Sequence, residues 1–479
     1  MEKREVDVAI IGAGTAGMVA YRRVASVTDR VVMIEGSQYG TTCARVGCMP
    51  SKLLIAAAER AHDAATAGPF GVFPENIRID GRKVMERVKR ERDNFVGAVV
   101  SSAEGLPEAH RLMGHARFVD GHRLTVGDHT EVIADRIIIA TGSRPNLPGL
   151  FKAAKDRLVV NDDLFYWDDL PGSVAVFGPG IIGLELGQAL SRLGVRVRMF
   201  GSGGSLGGIR NPDIRDLALD SFRQEFPIEP KADVKKIERT DAGVAVTFVK
   251  DDQPVTETYD YLLAATGRRP NIDNLDIQNA GIDLDDRGMP VFDPYTLRCG
   301  DSHIFIAGDV NNHRPLLHEA ADEGRIAGDN AVSWPDVRTG LRKTALSVVF
   351  TDPQIAAVGL IPDLSDDDSR RRYAAGDVRF DDQGRSKVIG KNRGLLRVYG
   401  EHGSGLFVGA EMLGPSAEHI AHLLAWCAQQ RMTVSIMLDM PYYHPVIEEG
   451  LRTALKGLNR NLSMGPEPVR DCTDCGPGV

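Results

Sequence analysis

One unit that occurs twice constrains this chain more than any other feature. Its first copy runs from the apolar stretch Val6 to Ile11 into Gly12-Ala13-Gly14-Thr15-Ala16-Gly17, continues as a helix-like stretch to Val24, and closes with the strand Val31 to Ile34 ending at Glu35. Strand, GxGxxG turn, helix, strand and terminal acid in that order predict a parallel βαβ unit that binds a dinucleotide. Gly12 permits the tight turn, Gly14 lets the backbone approach a pyrophosphate, and Gly17 lets the helix pack close to the strand. The helix N-terminus then holds phosphates, and Glu35 accepts hydrogen bonds from ribose hydroxyls. A purely structural glycine turn is the competing explanation.

The second copy reads Val174 to Phe177, Gly178-Pro179-Gly180-Ile181-Ile182-Gly183, a helix through Leu193 and a strand from Val195 to Phe200. Two such units predict two dinucleotides. They differ at one place: Glu35 stands 23 residues after Gly12, whereas the same step from Gly178 reaches Gly201. The loop that follows, Ser202 to Arg210, is rich in N–H and hydroxyl donors and carries one cation. With no acid to repel a 2′-phosphate the second site is open to NADP(H), and a flexible loop that tolerates either nicotinamide is equally consistent. Two further segments echo each other, Ile137 to Pro145 around Gly142 and Leu262 to Pro270 around Gly267, each a buried strand running into a glycine turn. The strand Ile304 to Ala307 then ends in Gly308-Asp309, where the acid suits sugar hydroxyls or a helix cap.

Just past the first unit lies Cys43-Ala44-Arg45-Val46-Gly47-Cys48, followed by Met49-Pro50-Ser51-Lys52. Five helical steps separate Cα atoms by roughly 7.5 Å, beyond the disulfide limit of about 7 Å, so a bridge here needs an irregular turn opening a helix. Such a turn suits redox work, because unpaired N–H groups at a helix start stabilise a thiolate. Spacing alone leaves two unrelated buried cysteines equally open.

The chain has 479 residues, 43% of them hydrophobic, enough for about three domains with separate cores. Its net charge of -9, with no basic stripe, argues against nucleic acid and anionic membranes as partners. No run reaches the roughly 18 apolar residues of a membrane span, and Met1 to Glu5 lacks the apolar core of a signal peptide. Six cysteines, four in two close pairs, fit a redox protein of a reducing compartment, so a cytoplasmic location is expected. No resident metal is expected.

Along residues 5 to about 465 these motifs resemble the flavin-dependent pyridine nucleotide-disulfide oxidoreductases typified by dihydrolipoyl dehydrogenase and glutathione reductase. The resemblance implies an α/β fold with two Rossmann-like domains and a C-terminal α+β dimerisation domain. An FAD domain would be split over 1–150 and 275–339, an NAD(P) domain would occupy 151–274, a dimerisation domain 340–465, and a flexible tail 466–479. It further implies that FAD is held by Gly12, Gly14, Gly17, Glu35, Lys52, the main chain near Ala116, Gly142 and Asp309, and NAD(P)(H) by Gly178, Gly180, Gly183 and Gly267. Cys48 matches the thiol that touches the flavin, Cys43 the one that exchanges with substrate, and Lys52 and Glu185 the ion pair beside the flavin's reactive edge. Segments Ser347 to Pro353 and Gly409 to Pro415 look like the dimerisation domain.

His444-Pro445 predicts a helix start, with Glu449 close enough to fix the imidazole tautomer and raise its basicity. A helix cap with a favourable dipole would also explain that pair. By resemblance, His444 and Glu449 form a dyad that faces the partner subunit's disulfide, so function requires a homodimer. The tail carries Cys472-Thr473-Asp474-Cys475. Mercuric reductases and large thioredoxin reductases also have tail cysteine pairs, and of these the latter keep the dyad. Relay, half of a metal site and an end without a task all remain open, although one CxxC has too few ligands for a closed zinc site. Elsewhere, Asp366 to Arg372 reads as a solvated connection, Cys299 and Cys427 as packing residues, and Trp426 as core or dimer contact.

The expected function is two-electron transfer between NAD(P)(H) and a dithiol or disulfide through Cys43 and Cys48, with dihydrolipoamide the favoured substrate and a 2-oxo acid dehydrogenase complex a candidate partner. The rivals are an NADPH-dependent disulfide or mercuric reductase that uses Cys472 and Cys475, and a flavoprotein scaffold within a larger assembly.

Overall fold

The computed structural model describes residues 1–463, so the predicted tail with Cys472 and Cys475 lies outside the described residues. The chain begins with β1 (Glu2–Ile11), α1 (Thr15–Ala25) and β2 (Val31–Glu35), followed by α2 (Thr42–Val46), α3 (Cys48–Ala65) and α4 (Gly81–Glu104). Next come β3 (Arg111–Met113), β4 (Ala116–Phe118), β5 (Arg123–Val126) and β6 (Thr130–Ile139). The sheet runs β3-β2-β1-β6-β5-β4, and the later strand Ile304–Ile306 pairs parallel with β6. Alternate residues of β1 feed different cores: Val8 and Ile10 pack with Met18 and Ala327, Ala9 and Ile11 with Phe118 and Leu124. Burial on both faces is why this strand reads as an unbroken apolar run.

A second parallel sheet, with strands in the order Ile228–Glu229, Arg196–Phe200, Ser173–Phe177, Tyr261–Ala264 and Leu158–Val159, contains the second glycine motif. The chain reaches it through β7 (Ser143–Pro145) and lays down β8 (Leu158–Val159), α5 (Asn161–Leu164), β9 (Ser173–Phe177), α6 (Ile181–Arg192), β10 (Arg196–Phe200), α7 (Pro212–Arg223) and β11 (Ile228–Glu229). An antiparallel meander, β12 (Val234–Thr240), β13 (Gly243–Lys250) and β14 (Gln253–Tyr259), precedes β15 (Tyr261–Ala264) and β16 (Arg268–Pro270). The two echoing segments meet here. Strands β7 and β16 pair antiparallel with Arg144 opposite Arg269, which joins the two nucleotide-type units where the chain leaves one and returns to the other.

After β17 (Ile304–Ile306) and α8 (Leu317–Ser333) the chain builds an antiparallel sheet from β18 (Leu346–Val349), β19 (Gln354–Gly359), α9 (Asp367–Arg372), β20 (Tyr373–Arg379), α10 (Gly384–Val388), β21 (Leu395–Glu401) and β22 (Phe407–Gly414). Its order is β18-β19-β22-β21-β20, and α11 (Ala417–Gln429), α12 (Val434–Leu438) and α13 (Glu448–Leu462) follow it. Leu451, Ala454, Leu455 and Leu458 recur at helical spacing along α13 and are buried in the core of this region.

Three local expectations change. Asp366 to Arg372 is no plain connection, because Asp366 caps a short helix by accepting from the Ser369 N–H at 2.9 Å. Acids in the first turn and arginines in the last complement that helix's dipole. The last helix starts at Glu448 and not at His444-Pro445, since Glu449 turns its carboxylate back onto Val446 N–H at 3.1 Å and folds the preceding residues into a turn. Trp426 is 66% exposed, which removes the core from the two readings given for it and leaves the dimer contact. Cys299 is buried and Cys427 packs against the last core.

Candidate active site

The two glycine turns have the same construction. Gly12 adopts φ +110° and Gly178 φ +106°, and a Cβ at either would lie 2.3 Å from a carbonyl oxygen, of Ala140 and Ala265 respectively. A side chain at Gly17 or Gly183 would lie 1.9 Å from the oxygen of Gly12 or Gly178. A Cβ at Gly14 or Gly180 would meet nothing within 4 Å, and these residues cap α1 and α6 without a side-chain hydrogen bond, so no capping side chain occupies the N–H groups that open either helix. That combination fits a dinucleotide pyrophosphate at each turn. Gly142 and Gly267 also have positive φ and open surroundings.

A cleft of about 700 Å³ extends from the first turn. Gly12, Gly14, Glu35, Ala116 and Gly142 line it, and so do Thr42, Arg45 and Val46 from the cysteine segment. Glu35 is held by two main-chain donors, Ala13 N–H at 2.8 Å and Ser37 N–H at 2.9 Å. These residues and the cleft's size fit an FAD, which when bound would supply the two-electron chemistry. Asp309 stands apart from that lining. Its carboxylate accepts from the Ser143 hydroxyl at 2.8 Å, and Arg268 in turn donates to Ser143 Oγ at 2.8 Å. Asp309 therefore does not cap the following helix, whose N-cap is Leu316.

Cys43 and Cys48 sit either side of a backbone break. Gly47, at φ -123° and ψ -117°, ends α2 and opens α3, which supplies the irregular turn that the spacing demanded. Thr41 caps α2 by accepting from the Ala44 N–H at 3.3 Å, and buried Asn161 donates to the Val46 carbonyl at 3.0 Å. Cys43 and Cys48 are not bridged, and a hydrogen bond joins their two sulfurs. That hydrogen bond, helped by the Lys52 charge, pulls the Cys48 thiol down to about 7. The same bond, together with burial, pushes Cys43 up. One sulfur of the pair is thus poised to be the thiolate.

Lys52 Nζ lies 2.7 Å from Glu185 Oε2 and 4.5 Å from the centroid of the Phe350 ring. Glu185 is buried, and its other oxygen accepts from the Phe350 N–H at 2.9 Å. Residues from α3, α6 and the end of β18 therefore converge beside the cysteines. His444 Nδ1 lies 2.9 Å from Glu449 Oε1, and its side chain is more than half exposed. Sequence reasoning missed Phe350, Asn161, Ser143 and Arg268 as site residues, because each reaches its partner across more than 100 positions and no local pattern marks it. Among the described residues no group of three or more His, Cys, Asp or Glu side chains could hold a metal ion, and no helix is long and apolar enough to cross a membrane.

Residues 6–324 match the pyridine nucleotide-disulphide oxidoreductase domain, and residues 346–455 match the dimerisation domain of the same proteins, which supports a homodimer. The chain is 30% identical over 453 residues to a dihydrolipoyl dehydrogenase of Geobacillus stearothermophilus, covering 93% of this chain and 94% of the relative. It is also 30% identical over 476 residues to a mercuric reductase of Shigella flexneri, covering 96% of this chain and 82% of the relative. Among solved structures, LpdA of Mycobacterium tuberculosis superposes with a TM-score of 0.81 at 24% identity, covering 94% of this chain and 99% of that one. Family match, full-length relatives and twin glycine turns agree: the chain belongs to the pyridine nucleotide-disulphide oxidoreductases, flavoprotein enzymes that use FAD and NAD(P)(H).

Proposed function

We propose that this enzyme transfers two electrons between a nicotinamide and a small dithiol or disulfide through Cys43 and Cys48, with dihydrolipoamide as the favoured substrate. The observation that carries this reading is the placement of Cys43 and Cys48 on either side of the Gly47 turn, beside the Lys52–Glu185 pair and next to the cleft that Thr42, Arg45 and Val46 help to line. In the oxidised pair a substrate thiolate attacks the Cys43 sulfur, the Cys43–Cys48 bond breaks, and Cys48 departs as a thiolate that the Lys52 charge favours. The second substrate thiol then displaces Cys43, the substrate leaves as a disulfide, and both enzyme cysteines are reduced. The electron pair now rests on Cys43 and Cys48, next to the cleft that fits FAD.

His444 is the proposed proton acceptor, in a homodimer where the dyad of one subunit serves the cysteines of the other. A carboxylate on Nδ1 fixes the tautomer and raises basicity at Nε2, as thiol exchange near neutral pH requires. Lys52 and Glu185 are proposed to stand at the reactive edge of the flavin, Glu35 and Asp309 to bind its ribose and ribityl hydroxyls, and Gly178, Gly180, Gly183 and Gly267 to form the nicotinamide nucleotide site. Work within a 2-oxo acid dehydrogenase complex follows from the same reading. The mercuric reductase match favours a second reading, reduction of a metallic acceptor through the tail cysteines.

Steady-state assays with dihydrolipoamide, lipoamide, glutathione disulfide, thioredoxin and Hg(II), each with both nicotinamides, discriminate between these readings. Highest turnover on dihydrolipoamide or lipoamide is expected. Turnover confined to Hg(II) would transfer the assignment to the second reading, and a stably complexed flavoprotein inactive on every acceptor would support a scaffold.

A further inference from the structure

The two glycine turns offer an internal comparison that only the register makes secure. Ile11 pairs with Ile34 in the first sheet and Phe177 with Phe200 in the second, and the glycines that follow donate to the same partners, Gly12 N–H to Ile34 O at 2.7 Å and Gly178 N–H to Phe200 O at 2.8 Å. Glu35 and Gly201 therefore occupy equivalent positions at the tip of the second strand. In the first site the Glu35 carboxylate is anchored by the Ala13 N–H. At the second site the residue equivalent to Ala13 is Pro179, which has no N–H to give. A Cβ on Gly201 would also fall 2.4 Å from Pro230 O and 2.7 Å from Pro179 Cγ. Both ends of the hydrogen bond that joins Glu35 to Ala13 are thus removed together, and the backbone closes over the place where the acid would stand.

The surroundings are donors. Gly204 N–H binds Pro230 O at 2.9 Å and Ala232 N–H binds Gly201 O at 2.7 Å, so the turn holding Lys231 is tied to the loop that follows Gly201. Ser202, Gly203, Ser205 and Lys231 are all exposed. Among the described residues, no hydrogen bond or ion pair engages the hydroxyls of Ser202 and Ser205, their N–H groups or the Lys231 ammonium. The flanking acids are already matched with cations, Glu229 with Arg223 at 3.4 Å and Asp233 with Lys235 at 2.6 Å.

We propose that Ser202, Ser205 and Lys231 form a 2′-phosphate subsite, so that the second site selects NADP(H) over NAD(H). The inference rests on the proposed function only in taking the second glycine turn as the nicotinamide nucleotide site. A ribose hydroxyl pair finds no carboxylate acceptor there, whereas a phosphate dianion finds an ammonium, two hydroxyls and free N–H groups.

Calorimetric titration of the purified flavoenzyme with adenosine 2′,5′-bisphosphate and with 5′-AMP tests this without any turnover. The bisphosphate is expected to bind more tightly, with an advantage that shrinks as salt is raised. Lys231→Ala should weaken the bisphosphate about tenfold, as loss of one charge-assisted hydrogen bond would, while 5′-AMP binding stays within twofold. Lys231→Glu should weaken it further and Lys231→Arg should restore it. Equal binding of the two ligands, equal losses for both in Lys231→Ala, or no binding of either would overturn the proposal. Inactivity on dihydrolipoamide would leave these titrations unaffected, so the two readings fail separately.

Discussion

Replacing Cys43 separates its role as a proton donor from its role as a sulfur. The Cys43 S–H is the largest influence lowering the Cys48 thiol from 9.0 to about 7. Cys43→Ser keeps an O–H in that position, so Cys48 should still titrate close to 7. Cys43→Ala removes the donor and leaves Lys52 as the main remaining stabiliser against a burial penalty, which should return the midpoint toward 9.0. At pH 7 the thiolate fraction would then fall, by about tenfold for each pH step that the midpoint rises. The direction follows from the chemistry: a lowered thiol is ionised above its own pKa, so the serine variant gains thiolate at lower pH than the alanine variant does. Thiolate ultraviolet absorbance and the pH dependence of alkylation rate both read this directly. Loss of turnover with small dithiols is expected in both variants, because neither can form the disulfide. Identical midpoints for the serine and alanine variants would refute the hydrogen bond as the cause, and normal turnover in Cys43→Ser would remove the central claim.

His444→Gln should slow the thiol half-reaction by about 10² to 10⁴ while leaving reduction of the enzyme by nicotinamide nearly unchanged, as stopped-flow measurement of the two halves would show. Equal slowing of both would place the imidazole at the wrong end of the mechanism. Arg342 bonds Glu323 at 2.8 Å and Glu319 at 2.9 Å, and Glu323 also accepts from Gly308 N–H at 2.7 Å, next to Asp309. Arg342→Leu would leave these buried carboxylates short of a partner and should cost about 3 kcal/mol, toward the lower limit because Arg314 still pairs with Glu319. Urea unfolding checks it, and a loss under about 1 kcal/mol would contradict the argument. Truncation after Leu462 should spare turnover with lipoamide and depress it with protein or metallic acceptors, if Cys472 and Cys475 relay electrons; equal rates on every acceptor would deny them that task.

Local chemistry made much of this protein legible from its residues alone. Glycines that must turn or approach closely announce themselves wherever they fall, so both nucleotide units, their strands and the missing acid at Gly201 could be read from spacing. Cys43 and Cys48 could be read the same way, including the need for a broken helix, which Gly47 supplies. Helix starts were less legible. His444-Pro445 carried a plausible signal, yet the helix begins at Glu448, because a side-chain carboxylate reaching backward outweighs proline's preference for a first turn. Tertiary structure alone decided what lies far apart in sequence: Phe350 against Lys52 and Glu185, Asn161 under Val46, and Ser143 between Asp309 and Arg268. The same holds for Pro179 and Pro230, whose closure over Gly201 turns an absent acid into an excluded one. Periodicity records which face of an element is buried but not which element covers it, and a hydrogen bond across 100 residues leaves no trace in the spacing of either partner.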